Sequence, residues 1–452
     1  MARSLDRTLS LKDLVFIVIG TVIGSGIFLV PGAVLRQSDG AVGLALLVWL
    51  VAGILSLLGA FTYGEMGAMR PDAGGLYVYI RDAFGPMPAF LYGWMVFIVG
   101  GSGAVATLAV AFTNYARQFV PLSPVAAKVL AVAMIVAVML VNVRGTRQGA
   151  TVQNWSTALK AGAILVMSVL LLVAGTGLGA ADTRWWPQTV DAGALGAGVG
   201  LAMIAVLWAY EGWHYVTFSA GEAVNPQRTF PRGIVAGTAL VIGLYVLANV
   251  GYVAALGAGG VMQSNRVAAE AMATHFGGAA GKAIAAVILV SIFSAANGLT
   301  LTAPRLYYAM ARDGLFFKRL AEVSPRFGTP AVAIVASSAW AMVLAATGTF
   351  ETLLTYVVFM GWVFFALAAM AIFTYRRREP NAPRPFRCPG YPLTPVLFII
   401  SALAIVLNTV ITQPQRGLIG LGGVALGVPI YYFWRSRRVL SGADPARGET
   451  GA

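Results

Sequence analysis

The chain has 452 residues, 58% of them hydrophobic and only 11% charged, with a net charge of +14. Soluble proteins carry about 25% charged residues, and a soluble fold of this length lacks the interior to hide so much apolar surface, so the bilayer is its natural solvent. The basic excess lies in short clusters between apolar runs, such as Arg376-Arg377-Arg378, which is a membrane-orientation pattern and excludes a nucleic-acid-binding stripe.

Residues 1–13 read as a short polar cytoplasmic N-terminus, and no cleavable signal peptide is expected. A span needs about 20 apolar residues. Twelve are predicted, at 14–36, 41–69, 86–116, 126–143, 152–175, 195–219, 233–257, 281–310, 330–347, 351–374, 393–411 and 417–434. Several exceed the required length, so tilt is expected. Segment 258–280 is weakly apolar, rich in Gly and Ala, and reads as a short outer helix. The tail from Ser441 is rich in Gly, Ala and charge and is expected to be disordered. With the N-terminus placed in the cytoplasm, 23 of the 31 Lys and Arg residues fall in inner segments and 7 in outer ones, so both termini are expected to be cytoplasmic.

The first span reads Gly20-Thr-Val-Ile23-Gly24-Ser25-Gly26-Ile27-Phe28. Two glycines flank a serine at roughly 16 Å depth, near the bilayer midplane. Small residues there serve either close helix packing or a break in the helix. Unwound backbone at that depth is tolerated only where it lines a cavity, and a half-helix starting near Ile27 would offer N–H groups to an anion.

The sixth span reads Trp208-Ala209-Tyr210-Glu211-Gly212-Trp213. A glutamate inside an apolar span is costly and marks a functional candidate, or else it is protonated or paired structurally. Gly212 again suggests a break, and aromatics at Trp208, Tyr210 and Trp213 suit ligand walls as well as plain packing. Interrupted spans five apart point to a transporter with inverted repeats.

Lys160 lies in the fifth span at roughly 15 Å depth, too deep to snorkel. Its ammonium must find partners inside or give up its proton, as a fixed structural cation or a proton carrier. Ser291 and Ser294 of the eighth span are its candidate partners. Glu65 and Arg305, near inner span ends, suit gating ion pairs or ordinary boundary charges. The Arg376 cluster sets orientation, with anionic-lipid binding as a second reading.

The residues Gly24-Ser25-Gly26-Ile27-Phe28 followed by Pro31-Gly32 resemble the first-helix signature of the amino acid–polyamine–organocation superfamily. The resemblance continues, in order, through Tyr63-Gly64-Glu65-Met66, the run Pro71 to Tyr79, Ala209-Tyr210-Glu211-Gly212-Trp213, the run Glu222 to Arg232 and Ala311-Arg312-Asp313-Gly314. Within that superfamily the chain most resembles bacterial relatives of the L-type amino acid transporters. The resemblance implies an all-α membrane fold with two inverted five-helix repeats, at 14–175 and 195–374, two extra helices at 393–434, a cytoplasmic tail at 435–452, and discontinuous helices 1 and 6.

It further implies a bacterial inner-membrane location and an amino acid substrate. The substrate carboxylate would meet the backbone of Gly24, Ser25 and Gly26, flanked by Ile23 and Ile27 as further substrate-binding residues, and the α-amino group would meet carbonyls of spans 1 and 6. The remaining site residues would be Trp208 (a gating aromatic), Ala209, Tyr210, Glu211 and Gly212. Lys160 matches a lysine that stands where sodium-coupled cousins bind sodium, so sodium-independent exchange is expected, with Lys160, Ser291 and Ser294 coupling. Animal L-type proteins carry a cysteine after the third span for an accessory subunit. Arg117 to Ala127 has none, and the one cysteine, Cys388, is placed in the cytoplasm, so no disulfide-linked partner is expected.

A membrane enzyme would need paired aspartates, a Ser/His arrangement or metal-spaced histidines. His214 and His275 lack such spacing, so no catalytic residue, metal or cofactor is expected. Proton-coupled symport and a transport-inactive amino acid sensor are the alternatives to exchange.

Overall fold

The computed structural model describes residues 5–180, 183–188, 191–348, 350–412 and 414–440. The predicted tail from Ser441 lies outside them. The described residues contain eighteen α-helices and no β-strand. In chain order these begin with α1 (Leu11–Val22), α2 (Gly26–Leu29), α3 (Pro31–Gln37), α4 (Val42–Met69), α5 (Leu76–Phe84) and α6 (Pro86–Met95). There follow α7 (Gly101–Ala116), α8 (Pro124–Val143), α9 (Thr146–Ala174), α10 (Ala192–Ala209), α11 (Pro226–Gln263) and α12 (Val267–Phe276). The last six are α13 (Gly278–Thr302), α14 (Pro304–Arg312), α15 (Ala331–Thr347), α16 (Phe350–Arg378), α17 (Leu393–Thr412) and α18 (Pro414–Leu440).

Eight segments between Leu11 and Arg312 are long and apolar enough to cross a bilayer, and they overlie the first eight predicted spans. Helices α15 to α18 occupy the stretches of the last four. The helix starts follow local chemistry. Ser10 and Asp13 form a reciprocal capping box on α1. Proline occupies the first turn of α3, α6, α8, α11 and α14, where its missing N–H costs nothing.

Two helices begin earlier than predicted, α9 at Thr146 and α11 at Pro226. Their first turns carry Arg147, Gln148, Arg228 and Arg232, which a hydropathy window discards although the backbone is already helical. Segment 258–280 contains the end of α11, with a non-helical Gly257, and the short α12. The third predicted span is interrupted, because Val96–Gly100 between α6 and α7 is a π-helix.

Helix α9 shows how the bundle sorts its faces. Gln153, Thr157, Lys160, Ile164 and Leu171 are buried at helical spacing, while Leu165, Val166, Val169 and Val173 are exposed. The exposed face is apolar and the polar side chains turn inward, as a helix between protein and lipid requires. The interior against which α9 packs is formed by α1, α11 and α13.

Candidate functional site

The first span is broken. Helix α1 ends at Val22, Ile23 to Ser25 are unwound, and α2 starts at Gly26. The Gly24 N–H donates to Val22 O at 2.8 Å instead of continuing the helical ladder. The freed carbonyls find partners on neighbouring helices. Lys160 Nζ on α9, fully buried, donates to Gly20 O (2.7 Å), to Ile23 O and to Ser291 O (3.3 Å). Ser291 Oγ on α13 lies 3.0 Å from both Ile23 O and Gly24 O.

Lys160 and Ser291 thus meet at the break, as expected. Ser294 does not join them. Its hydroxyl sits 3.4 Å from Thr157 Oγ1, which donates to Phe16 O at 3.2 Å, so Ser294 packs α13 against α9 one turn away from the ammonium.

The sixth span is broken too. Helix α10 ends at Ala209, Gly212 has φ +126°, and Trp213–Glu222 continues as a 3-10 helix. The two breaks touch. Thr21 Oγ1 donates to Gly212 O at 3.0 Å. A Cβ on Gly212 would lie 2.7 Å from Thr21 C and O, and one on Gly26 would lie 2.8 Å from Ala209 Cα and Cβ. Both glycines therefore allow a backbone approach that no side chain permits. Tyr245 on α11, which sequence reasoning missed, holds the pair together, with its hydroxyl 3.1 Å from both Val22 O and Ala209 O.

Between the breaks lies a cavity with about 60 Å³ open to the centres of water-sized spheres. Thr21, Val22, Gly24, Ser25 and Gly26 line it from the first break, and Trp208, Ala209, Glu211, Gly212 and Tyr215 from the second. Ala104, Thr107 and Leu108 of α7 and Leu299 of α13 close it. Ser25 Oγ is buried without a hydrogen-bond partner among the described residues, and the first N–H groups of a helix, here α2, have none within it. The cavity thus carries donors suited to a carboxylate beside the carbonyls of unwound backbone.

Three expected residues are not in its wall. The Ile23 carbonyl serves Lys160, the Ile27 side chain is buried in the core, and the Tyr210 ring packs on Trp49 (6.0 Å between centroids) and Tyr245 (5.0 Å). The α7 residues were missed because Ala, Thr and Leu at helical spacing look like any apolar helix. Among the described residues no cluster of His, Cys, Asp or Glu could hold a metal ion.

Away from the cavity, two buried ion pairs tie distant segments. Arg376 binds Glu65 through two bonds (2.9 and 2.7 Å), Arg384 approaches the same carboxylate at 3.5 Å, and the Cys388 N–H donates to it at 2.6 Å. Arg376 thus holds an interior acid as well as adding basic charge at a span end. Arg305, fully buried, binds Glu222 at 2.6 and 3.0 Å and Thr146 Oγ1 at 2.8 Å. It joins α14, the end of the second break and the start of α9. Beside it the N-terminal peptide docks, with Thr8 and Leu9 N–H donating to Glu222 O at 2.8 and 2.9 Å. Cys388 is buried, and burial pushes its thiol up to about 11.

A family model described as amino acid permease matches residues 9–426. The chain is similar to the serine/threonine exchanger SteT of Bacillus subtilis, 33% identical over 96% of this chain and 98% of that protein. It is 34% identical to human b(0,+)-type amino acid transporter 1 over 91% of this chain and 84% of that protein. It is 31% identical to the human cystine/glutamate transporter, over 95% and 85% respectively.

Proposed function

The chain belongs to the amino acid permease family, a multi-pass membrane transport protein and not an enzyme, and from that premise we propose that it is a sodium-independent exchanger of small neutral amino acids. The observation that carries this reading is the fully buried Lys160 ammonium bonded to the carbonyls of the first break. A fixed cation there does the work that a bound sodium ion would otherwise do, so the cycle needs no sodium.

The zwitterion bridges the two breaks. Its carboxylate takes the donors at Ser25 and Gly26, which gain strength in a site shielded from bulk water. Its ammonium faces the carbonyls near Val22 and Ala209. Trp208 covers the substrate at the Gly26 side. A cavity of about 60 Å³ is several times the about 10–15 Å³ needed to hold one water, which suits a small side chain, in line with the serine/threonine exchanger among the relatives. The halves 14–175 and 195–374 act as inverted repeats, with 393–434 outside them. The basic bias puts both termini in the cytoplasm of a bacterial cell. Cys388 is buried, so no accessory subunit is held by a disulfide.

The test is uptake of labelled L-serine into proteoliposomes of the purified protein, with and without internal L-serine, in sodium or choline buffer. Uptake that requires internal serine and ignores sodium is expected. Uptake into empty vesicles driven by a proton gradient would replace exchange with symport, and binding without flux would replace it with sensing.

A further inference from the structure

The acids of the interior are treated unequally. Glu65 has Arg376 and Arg384, Glu222 has Arg305, and Asp13 has Arg147 and Asn154. Glu211, which lines the substrate cavity, has no Lys or Arg among the described residues. Its neighbour is His214 Nδ1, 3.6 Å from Oε1 and too far for a direct bond. The His214 ring is fixed by Tyr215 and Phe365, each 4.4 Å away between centroids.

Glu211 also lines a second cavity of about 20 Å³. Besides Tyr215, two further polar residues line it, His214 and Tyr92. Both are more than nine-tenths buried, and His214 Nδ1 and Tyr92 Oη lack a hydrogen-bond partner among the described residues. Buried polar atoms are rarely left unpaired, and a polar cavity above about 10–15 Å³ holds a water. One water there would reach an imidazole, a phenol and a carboxyl together.

We propose that Glu211 is the proton site of this transporter, joined through one water to His214 and Tyr92, and that it must be protonated for a zwitterion to enter the adjoining cavity. The inference rests on the zwitterion-binding reading above. An ionised Glu211 would share the cavity with the substrate carboxylate, and the repulsion lowers affinity by about tenfold or more. The protonated form removes it and adds a donor. The groups facing Glu211 do not supply a rival charge. His214 and Tyr215 come from its own segment, Tyr92 from α6 and Tyr63 from α4. From α1, α7, α13 and α16 the described residues around it are Thr21, Thr107, Leu299 and Phe364 and their apolar neighbours. The site is distinct from Lys160, whose ammonium is already engaged by three carbonyls.

Binding then takes up a proton wherever Glu211 is ionised in the empty protein. The experiment is calorimetric titration of the full-length protein with L-serine, L-threonine and L-alanine, in buffers of different ionisation enthalpy, from about pH 6 to about pH 8.5. Wild type is expected to bind more weakly as pH rises and to take up as much as about one proton per ligand. Glu211→Gln is expected to bind with no proton uptake and a flat profile. His214→Gln is expected to shift the midpoint, because it removes the imidazole while leaving the carboxyl. Uptake unchanged in Glu211→Gln, no uptake in wild type, or failure of all three ligands to bind at about pH 6 overturns the proposal. Should Glu211→Gln fail to fold, His214→Gln decides, and an unmoved midpoint overturns it. Binding with proton uptake but without exchange would sink the exchanger reading and leave this one standing.

Discussion

Replacing Lys160 with alanine tests the coupling geometry most directly, and its size can be worked from the hydrogen bonds. Of the three carbonyls, Ile23 O keeps Ser291 Oγ at 3.0 Å. Ser291 O is the longest contact at 3.3 Å and lies within α13. Gly20 O is different. The Gly24 N–H that would close the helical ladder onto it donates to Val22 O instead, so Gly20 O relies on Lys160 at 2.7 Å. A hydrogen bond to a charged group contributes about 1.5–3 kcal/mol. Losing that bond fully and a second in part costs about 2–4 kcal/mol, a shift of about 30- to 900-fold in the population with a correctly formed break. Serine exchange in proteoliposomes should fall by that range in Lys160→Ala and also in Lys160→Met, which keeps the volume. The helix packing around α9 does not rest on these bonds, so both variants should elute as folded protein. Unchanged turnover in a folded Lys160→Ala would refute the role given to this lysine.

Two further perturbations follow from the same geometry. Gly212→Ala places a Cβ 2.7 Å from Thr21 C and O at φ +126°; left-handed strain of about 1–2 kcal/mol and overpacking of about 1–3 kcal/mol should cut exchange by at least about 30-fold, whereas Gly162→Ala, with open space at its Cβ, should leave it unchanged. Arg305→Met strands the fully buried Glu222 carboxylate and should destabilise the protein by about 3–5 kcal/mol, read as a fall in unfolding temperature in detergent, with Glu222→Met added to Arg305→Met recovering most of it.

Much of the break chemistry is legible in sequence because it violates a strong rule. Glycines beside a serine, a glutamate and a lysine at bilayer depth stand out against apolar surroundings, and Lys160 and Ser291 do meet there. The residues that follow no such rule are the ones that escape notice. Tyr245 looks like any aromatic in a long helix, yet its hydroxyl spans both breaks. Ser291 and Ser294 are chemically identical and about 4.5 Å apart along the axis, and only the azimuth of α13 decides which one faces the ammonium. Glu222 and Arg305 lie 83 positions apart at helix ends, where a charge reads as a boundary marker, so their full burial as a pair depends on the tertiary path of the chain.

The bonding around the first break also says what can move. Each partner of its loose backbone sits on a different long helix: Lys160 on α9, Ser291 on α13 and Tyr245 on α11. Thr21 and Tyr245 connect the first break to the second, through Gly212 O, Val22 O and Ala209 O. Alternating access requires that one set of contacts persist while another is exchanged. The charged bonds from α9 are the stronger set, whereas Thr21 and Tyr245 are neutral hydroxyls, each within reach of a second carbonyl acceptor. A hydroxyl that can turn between two acceptors loses little when one withdraws. The relative motion of the two breaks is therefore expected at the Thr21–Gly212 and Tyr245 contacts, with the Lys160 end of α1 held to α9 throughout.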